Sequence, residues 1–215
     1  MKPFVAITAT AAMLSIVACG PSQAEIDAEK AKKTADSLAA AAAMEHTYTA
    51  DPAASTVRWQ GNMTGLKSYS HFGTISLNSG SFSVKGGMVT GGTFEINMKS
   101  MNPQDSGYSA EHPKEGLIGH LSSPDFFAVD TFSTATFKIT SVEGNTATGD
   151  LTIRGKTNSE KVTDIAVAET DGVATVKGKL VFNRQKYGVA WVAMKDMLLA
   201  DDIELTVELN GKAAQ

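Results

Sequence analysis

Between Tyr48 and the C-terminus, apolar residues alternate with polar ones in about eight separate segments, and this period of two constrains the fold more than any other feature. In the clearest segment, 203–209, every second residue is Ile, Leu or Val, and the residues between them are Glu or Thr. Because successive side chains of a β-strand point to opposite faces, each segment predicts a strand with one apolar face. Strands with one wet face are typical of antiparallel sheets. The sequence therefore predicts an all-β antiparallel domain.

Turn residues separate the predicted strands, as in Asn78-Ser-Gly80 and Glu143-Gly-Asn145, and they indicate short connections. We assign residues 47–212 to one domain, since roughly 165 residues is a normal single-domain length. A domain of this length can close into a barrel, which removes exposed strand edges. The exception to the strand pattern is 115–121, whose leucines predict one side of a short helix.

The N-terminal segment predicts export and lipidation. After Lys2, residues 4–18 are apolar and small, a run that is too short to span a bilayer and is typical of a signal peptide. The run ends in Ile16-Val-Ala-Cys19, which resembles the lipobox of bacterial lipoproteins. We therefore predict that residues 1–18 are removed and that Cys19 carries the lipid. A cysteine that follows an ordinary signal peptide without being lipidated is the alternative.

Several acyl chains on Cys19 would make a lasting membrane anchor, whereas a single chain gives only marginal attachment. Gly20 follows the cysteine, at the place where Asp signals inner-membrane retention in enterobacterial lipoproteins. We therefore predict a cell-envelope protein, anchored to the outer membrane and facing the periplasm or the surface. Cys19 is the only cysteine, which excludes disulfides, thiol catalysis and cysteine metal sites in the exported domain.

Residues 19–46 are predicted to form a tether. From residue 22 onward the segment is rich in alanine and charged residues, which suits a solvated helix, and Ser22 with Glu25 makes a capping box. Alanines at alternating spacings of three and four leave a coiled coil open as an alternative. Because an alanine seam buries little area, we favour a single spacer helix.

Charge and motifs exclude several classes of function. The chain has 19 basic and 23 acidic residues and no basic patch, so we predict no nucleic-acid partner. No nucleophile elbow, phosphate-binding loop or His-Glu-x-x-His helix occurs. His71, His112 and His120 are not spaced as a metal pair. We predict no catalytic residue, metal or cofactor, and the sequence does not indicate which proteins the chain binds.

The segment His120-Leu-Ser-Ser-Pro-Asp-Phe-Phe127, followed by Ala135-Thr-Phe137, resembles the signature of the YceI-like family. Further segments that resemble the family follow in its order: Tyr48 to Trp59, His71-Phe-Gly73, 91–100, 149–157, 183–189 and Asp201-Asp-Ile203. The resemblance implies a lipocalin-like eight-stranded antiparallel barrel, with a short helix, whose interior holds a long isoprenoid chain or a similar amphiphile. The implied function is storage or transport of a polyisoprenoid, quinone or fatty-acyl lipid. An enzyme acting on such a lipid and a structural envelope protein with a filled barrel remain the alternatives.

The predicted ligand site consists of residues with inward strand parity and of aromatic residues in the signature. The mixture of small inward residues, such as Ala135 and Gly149, with large ones, such as Phe137, favours a cavity, because small side chains leave volume. Leucine at either small position should then fill the lumen, whereas ordinary filled packing is the alternative. Arg184 shares the parity of Phe182, so we place it at an end of the lumen, where it would meet an anionic or carbonyl head group, or in an exposed turn. The complete predicted set is Phe94, Ile96, Phe127, Ala135, Phe137, Ile139, Gly149, Leu151, Ile153, Leu180, Phe182, Arg184 and Trp191.

Overall fold

The computed structural model describes residues 22–65, 68–192 and 197–214. The chain divides into two compact units, Met1–Ala41 and Ala42–Gln215. The predicted signal peptide and Cys19 lie outside the described residues.

The described part of the first unit is a helix, α1, which spans Gln23–Ala42. The backbone N–H of Glu25 donates to Ser22 Oγ at 3.3 Å, and the N–H of Ser22 donates to the Glu25 carboxylate at 2.7 Å. The predicted capping box is therefore confirmed, and it satisfies two N–H groups that the helix start leaves without partners. Every residue of α1 whose burial is described is exposed. Among the residues described, no helix is long and apolar enough to cross a membrane.

The described part of the second unit is an antiparallel barrel with a helix and a short 3-10 helix. The strands pair in the order β1-β3-β2-β9-β8-β7-β6-β5-β4, and pairing between β3 and β4 closes the barrel. The strands are β1 Glu45–Ala50, β2 Thr56–Gly65, β3 Tyr69–Lys85, β4 Met88–Pro103, β5 Thr134–Glu143, β6 Thr146–Ile153, β7 Lys156–Thr170, β8 Val173–Asn183 and β9 Met197–Ala213. Helix α2 spans Lys114–Ser122, and the 3-10 helix spans Arg184–Tyr187.

The first two strands together occupy one of the eight positions around the barrel. β1 pairs with the second half of β3 and with the end of β9, whereas β2 pairs with the first half of β3 and with the rest of β9. The described residues thus contain nine strands in an eight-stranded barrel, which confirms the predicted fold. The predicted boundary of the tether was two residues late, since β1 begins at Glu45 rather than after His46. Both residues are exposed, so the pattern of buried side chains could not indicate their backbone pairing.

Buried and exposed residues alternate along the strands, as the sequence predicted. In β8, buried residues alternate with exposed or half-buried ones from Ala174 to Phe182, and β6 shows the same period. Each fully buried aliphatic or aromatic side chain contributes about 1.5–3 kcal/mol relative to exposure. Inward residues from all nine strands contribute to one hydrophobic core, β7 through partly buried side chains.

One end of the barrel is closed by two stacked aromatic rings. Tyr48 and Phe82 stack with their centroids 5.4 Å apart, and a Cβ placed on Gly211 would lie 2.8 Å from the Phe82 ring. The Tyr48 hydroxyl donates to Glu169 Oε1 at 2.6 Å. Burial, together with the Glu169 carboxylate, raises the pKa of Tyr48 to about 12, so the phenol remains a donor at neutral pH.

Candidate ligand cavity

Two apolar cavities lie in the barrel lumen within the part of the chain that the structure describes. Their volumes are about 210 Å³ and about 100 Å³. Four side chains border both cavities, and we call them the waist: Val57, Ile96, Leu151 and Leu205. Because the waist residues come from β2, β4, β6 and β9, the two cavities follow each other along the lumen. This arrangement suits a long, slender ligand better than a compact one.

The larger cavity lies where α2 packs, and the smaller one lies toward the Tyr48–Phe82 end. Leu117 and Leu121 of α2 border the larger cavity, and Phe82 borders the smaller one. The predicted short helix thus supplies cavity wall, which its own sequence spacing could not indicate. No acidic residue of the described part of the chain borders the larger cavity.

Twelve of the thirteen predicted ligand-site residues border a cavity. The larger cavity is bordered by Ile96, Phe127, Ala135, Leu151, Ile153, Phe182, Arg184 and Trp191. The smaller cavity is bordered by Phe94, Ile96, Phe137, Ile139, Leu151 and Leu180. The structure therefore brings these residues together around one lumen.

Gly149 is the exception, and the reason proposed for it was wrong. A Cβ at Gly149 would lie 2.5 Å from Cζ of Phe137 and 2.6 Å from the backbone oxygen of Lys138. The Phe137 ring therefore packs directly on the glycine and fills the space that a side chain would take, so this space is not vacant. Gly178 shows the same relation, since its Cβ would lie 2.7 Å from Val162 Cγ1.

Arg184 borders the larger cavity, but the protein already uses its guanidinium. The side chain is 4% exposed. Its Nε donates to the carbonyl of Ala200, its Nη1 to the carbonyls of Val189 and Trp191, and its Nη2 to the carbonyl of Leu199 and to Asp201 Oδ1, at distances from 2.6 to 3.3 Å.

These five contacts engage all five N–H groups of the guanidinium, so none is left for a ligand. The predicted head-group role of Arg184 is therefore wrong, and so is the alternative of an exposed turn arginine. Instead, Arg184 joins the segment after the 3-10 helix to the start of β9. It thereby fixes the backbone that carries Trp191 and Leu199, two residues of the cavity wall.

A polar cluster that the sequence reading missed lies at the edge of the larger cavity. His71 borders the cavity, and its Nδ1 lies 2.8 Å from Asp105 Oδ2. The Tyr108 hydroxyl donates to the other oxygen of Asp105 at 2.6 Å. Burial raises the pKa of the Asp105 carboxyl, but the hydrogen bonds from Tyr108 and His71 outweigh it and hold that pKa below its ordinary value. Asp105 is therefore ionised at neutral pH.

His71, Asp105 and Tyr108 do not form a metal site. Within residues 22–65, 68–192 and 197–214, no group of three or more His, Cys, Asp or Glu side chains could hold a metal ion. His120, the other histidine of the cavity wall, packs edge-on against Phe126 and Trp191, with ring centroids 4.6 and 5.0 Å apart.

Residues 48–211 match the YceI-like domain family. Two UPF0312 proteins of Staphylococcus aureus are also similar to the chain. The protein of strain bovine RF122 / ET3-1 is 42% identical over 77 residues, which cover 33% of this chain and 44% of the relative. The protein of strain N315 is 40% identical over 82 residues, 35% of this chain and 47% of the relative. The chain thus spans less than half the length of these relatives.

Two solved structures share the fold. BcnA of Burkholderia cenocepacia is similar with a TM-score of 0.59 and 22% sequence identity, over 75% of this chain and 98% of that chain. A polyisoprenoid binding domain from Saccharophagus degradans is similar with a TM-score of 0.50 and 13% identity, over 78% of this chain and 98% of that chain. Because the identities are this low, the similarity establishes the fold alone.

Proposed function

Because the chain belongs to the YceI-like domain family, we propose that its barrel binds one long-chain amphiphile in the lumen, for storage or transport. The observation that carries the proposal is the pair of apolar cavities that meet at the waist. A polyisoprenoid, a quinone with an isoprenoid tail and a fatty-acyl lipid all have the required slender shape. The name of the Saccharophagus degradans domain, a polyisoprenoid binding domain of the same fold, supports the first of these classes.

The energetics of such binding depend on the tail. Removing a CH₂ group from water contributes about 0.8 kcal/mol, so a five-carbon isoprene unit contributes on the order of 3–4 kcal/mol before costs. Ordering of the chain and loss of overall motion then subtract several kcal/mol. A few buried units therefore suffice for useful affinity, and the wall needs no polar contact with the tail.

Affinity should rise with chain length until the lumen is full. We expect each added isoprene unit to tighten binding by roughly tenfold, because about 1.4 kcal/mol of the gross gain survives the costs. The rise should stop once the tail occupies both cavities. The measurement is competition of isoprenoid alcohols of increasing length against a fluorescent fatty acid on delipidated protein. Affinity that is flat from the shortest alcohol onward would contradict a lumenal site.

We further propose that the protein is an exported lipoprotein, anchored through Cys19 to the outer membrane of a bacterial cell envelope. The support is the lipobox-like Ile16-Val-Ala-Cys19 at the end of an apolar N-terminal run. An anchor would suit a lipid carrier, because it keeps the barrel close to the membrane that supplies the ligand.

Cys19→Ser should abolish lipidation, because it removes the only thiol in the sequence. Metabolic labelling with a radioactive fatty acid and fractionation of the membranes measure the result. We expect no label on the variant and its loss from the membrane fraction, while Gly20→Ala, which keeps the cysteine, still takes the label. A label that persists on Cys19→Ser would refute the anchor.

A further inference from the structure

We propose that His71 binds the head group of the lumenal ligand, and that this head group is a carboxylate. This inference rests on the proposed function, because it names the polar contact of the same site.

His71 lies where the larger cavity meets solvent. It borders the cavity, and 31% of its side chain is exposed. Tyr69, whose ring packs edge-on against the imidazole at 5.2 Å, also borders the cavity and is 42% exposed. A ligand with its tail in the lumen would therefore carry its head group past His71 as it reaches water.

Asp105 and Tyr108 hold the imidazole ring in one orientation. The Asp105 side chain is 5% exposed, and its two oxygens are engaged by His71 Nδ1 and by the Tyr108 hydroxyl. Among the described residues, the side-chain hydrogen bond of His71 is the one to Asp105, which leaves Nε2 for a ligand. A ring held in this way loses little further freedom when it binds, so its hydrogen bond favours binding more than that of a mobile surface histidine.

The strand next to His71 leaves room beside the ring. Gly61 of β2 pairs directly with His71 of β3 and also borders the cavity. A Cβ at Gly61 would lie 3.4 Å from Ile203 Cδ1, an ordinary contact. Because the residue opposite His71 is a glycine, no side chain occupies the space next to the imidazole on that strand.

The charges around the cavity select the type of head group. Arg184, His71 and His120 are the basic residues that border the larger cavity in the described part of the chain, and no acidic residue borders it there. Arg184 has no N–H to offer, and His120 is packed between two aromatic rings. A carboxylate ligand binds the protonated ring, in which Nδ1 donates to the ionised Asp105 and Nε2 donates to the ligand, because a neutral ring that donates from Nδ1 can only accept at Nε2. With no acidic residue among the described residues of the cavity wall, this arrangement favours a carboxylate head group over an ammonium group.

The test compares oleate with an alkene of the same chain length, which lacks a head group, on the delipidated full-length protein. Because hydrogen bonds to charged groups are stronger than neutral ones, we expect oleate to bind at least tenfold more tightly than the alkene. His71→Phe should weaken oleate binding about tenfold and change alkene binding by less than about twofold. Asp105→Asn, which keeps the ring but removes the carboxylate that holds it, should weaken oleate selectively as well. His112→Phe, at an exposed histidine that borders neither cavity, is the matched control and should keep both affinities. His120→Phe tests the other histidine of the cavity wall, and it should keep the preference for oleate.

Each outcome decides between the two claims. If the wild type binds neither ligand, the proposed function fails and this inference fails with it. If both ligands bind and His71→Phe changes neither affinity, or weakens both equally while Asp105→Asn has no selective effect, the inference fails and the proposed function stands. Loss of the oleate preference in His120→Phe but not in His71→Phe would place the head group at the other histidine and overturn the inference.

Discussion

Replacing Arg184 with methionine is expected to lower the free energy of unfolding by about 3–5 kcal/mol, because a guanidinium that is 4% exposed loses five hydrogen bonds at once, at about 1 kcal/mol net each. The methionine fills much of the volume but offers no N–H groups. Four carbonyls, those of Val189, Trp191, Leu199 and Ala200, lose a donor, and Asp201 loses its charged partner. Buried acceptors without a donor are costly, so this change should be among the most damaging in the barrel.

Denaturant melts of the delipidated protein measure this effect. Arg58→Met is the matched control, because Arg58 is exposed and should cost less than about 0.5 kcal/mol. Arg184→Lys should also be clearly destabilising, since one ammonium group cannot reach five acceptors. Equal stability of Arg184→Met and Arg58→Met would show that the hydrogen bonds of Arg184 to the segment after the 3-10 helix and to β9 do not stabilise the fold.

Leucine at two small residues on adjacent strands, Gly149 and Ala135, should have clearly different effects on stability. Gly149→Leu should lower the free energy of unfolding by about 3 kcal/mol, the upper end of the usual range for overpacking. The reason is that a Cβ at this position would already clash with the Phe137 ring and with the Lys138 carbonyl. Ala135→Leu should change stability by less than about 1 kcal/mol, because Ala135 borders the larger cavity and the new side chain extends into open volume. The same leucine should weaken long-chain lipid binding by tenfold or more, since it occupies the ligand's place.

The two variants are matched, since both gain the same side chain on adjacent strands β5 and β6. Stability is measured by denaturant melts of delipidated protein, and lipid binding by competition with a fluorescent fatty acid. If Ala135→Leu destabilised the barrel as much as Gly149→Leu, the larger cavity would be a packed core in solution. Normal lipid binding by Ala135→Leu would remove this part of the lumen from the site.

The sequence predicted the antiparallel strands because burial alternates with the same period as the strand backbone, and the resemblance to the YceI-like family implied that eight of them form a barrel. It also predicted most of the cavity wall, since inward parity applies to Ile96, Ala135 and Leu151 whatever the details of packing. Burial of side chains is the signal in every such case. Strand β1 gave no such signal before Tyr48, because its first residues contribute backbone pairing alone.

What the sequence could not predict depends on contacts between distant residues. Whether a small residue faces vacant volume or a neighbour's ring is decided across strands, as the contrast between Ala135 and Gly149 illustrates. The partner of His71 lies 34 residues away in a segment without regular structure. Four of the acceptors of Arg184 are backbone carbonyls, and because every residue has one, the sequence cannot indicate which of them accept.

Native mass spectrometry of the purified protein, before and after extraction with organic solvent, shows whether the barrel carries a long-chain lipid. We expect a mass above that of the polypeptide and its covalent modifications, with one ligand per chain. Extraction should remove that mass, and the extract should contain a lipid with a long isoprenoid or acyl tail. A folded protein that carries no extractable mass, and that binds no long-chain lipid when one is supplied, would contradict the proposed lipid binding.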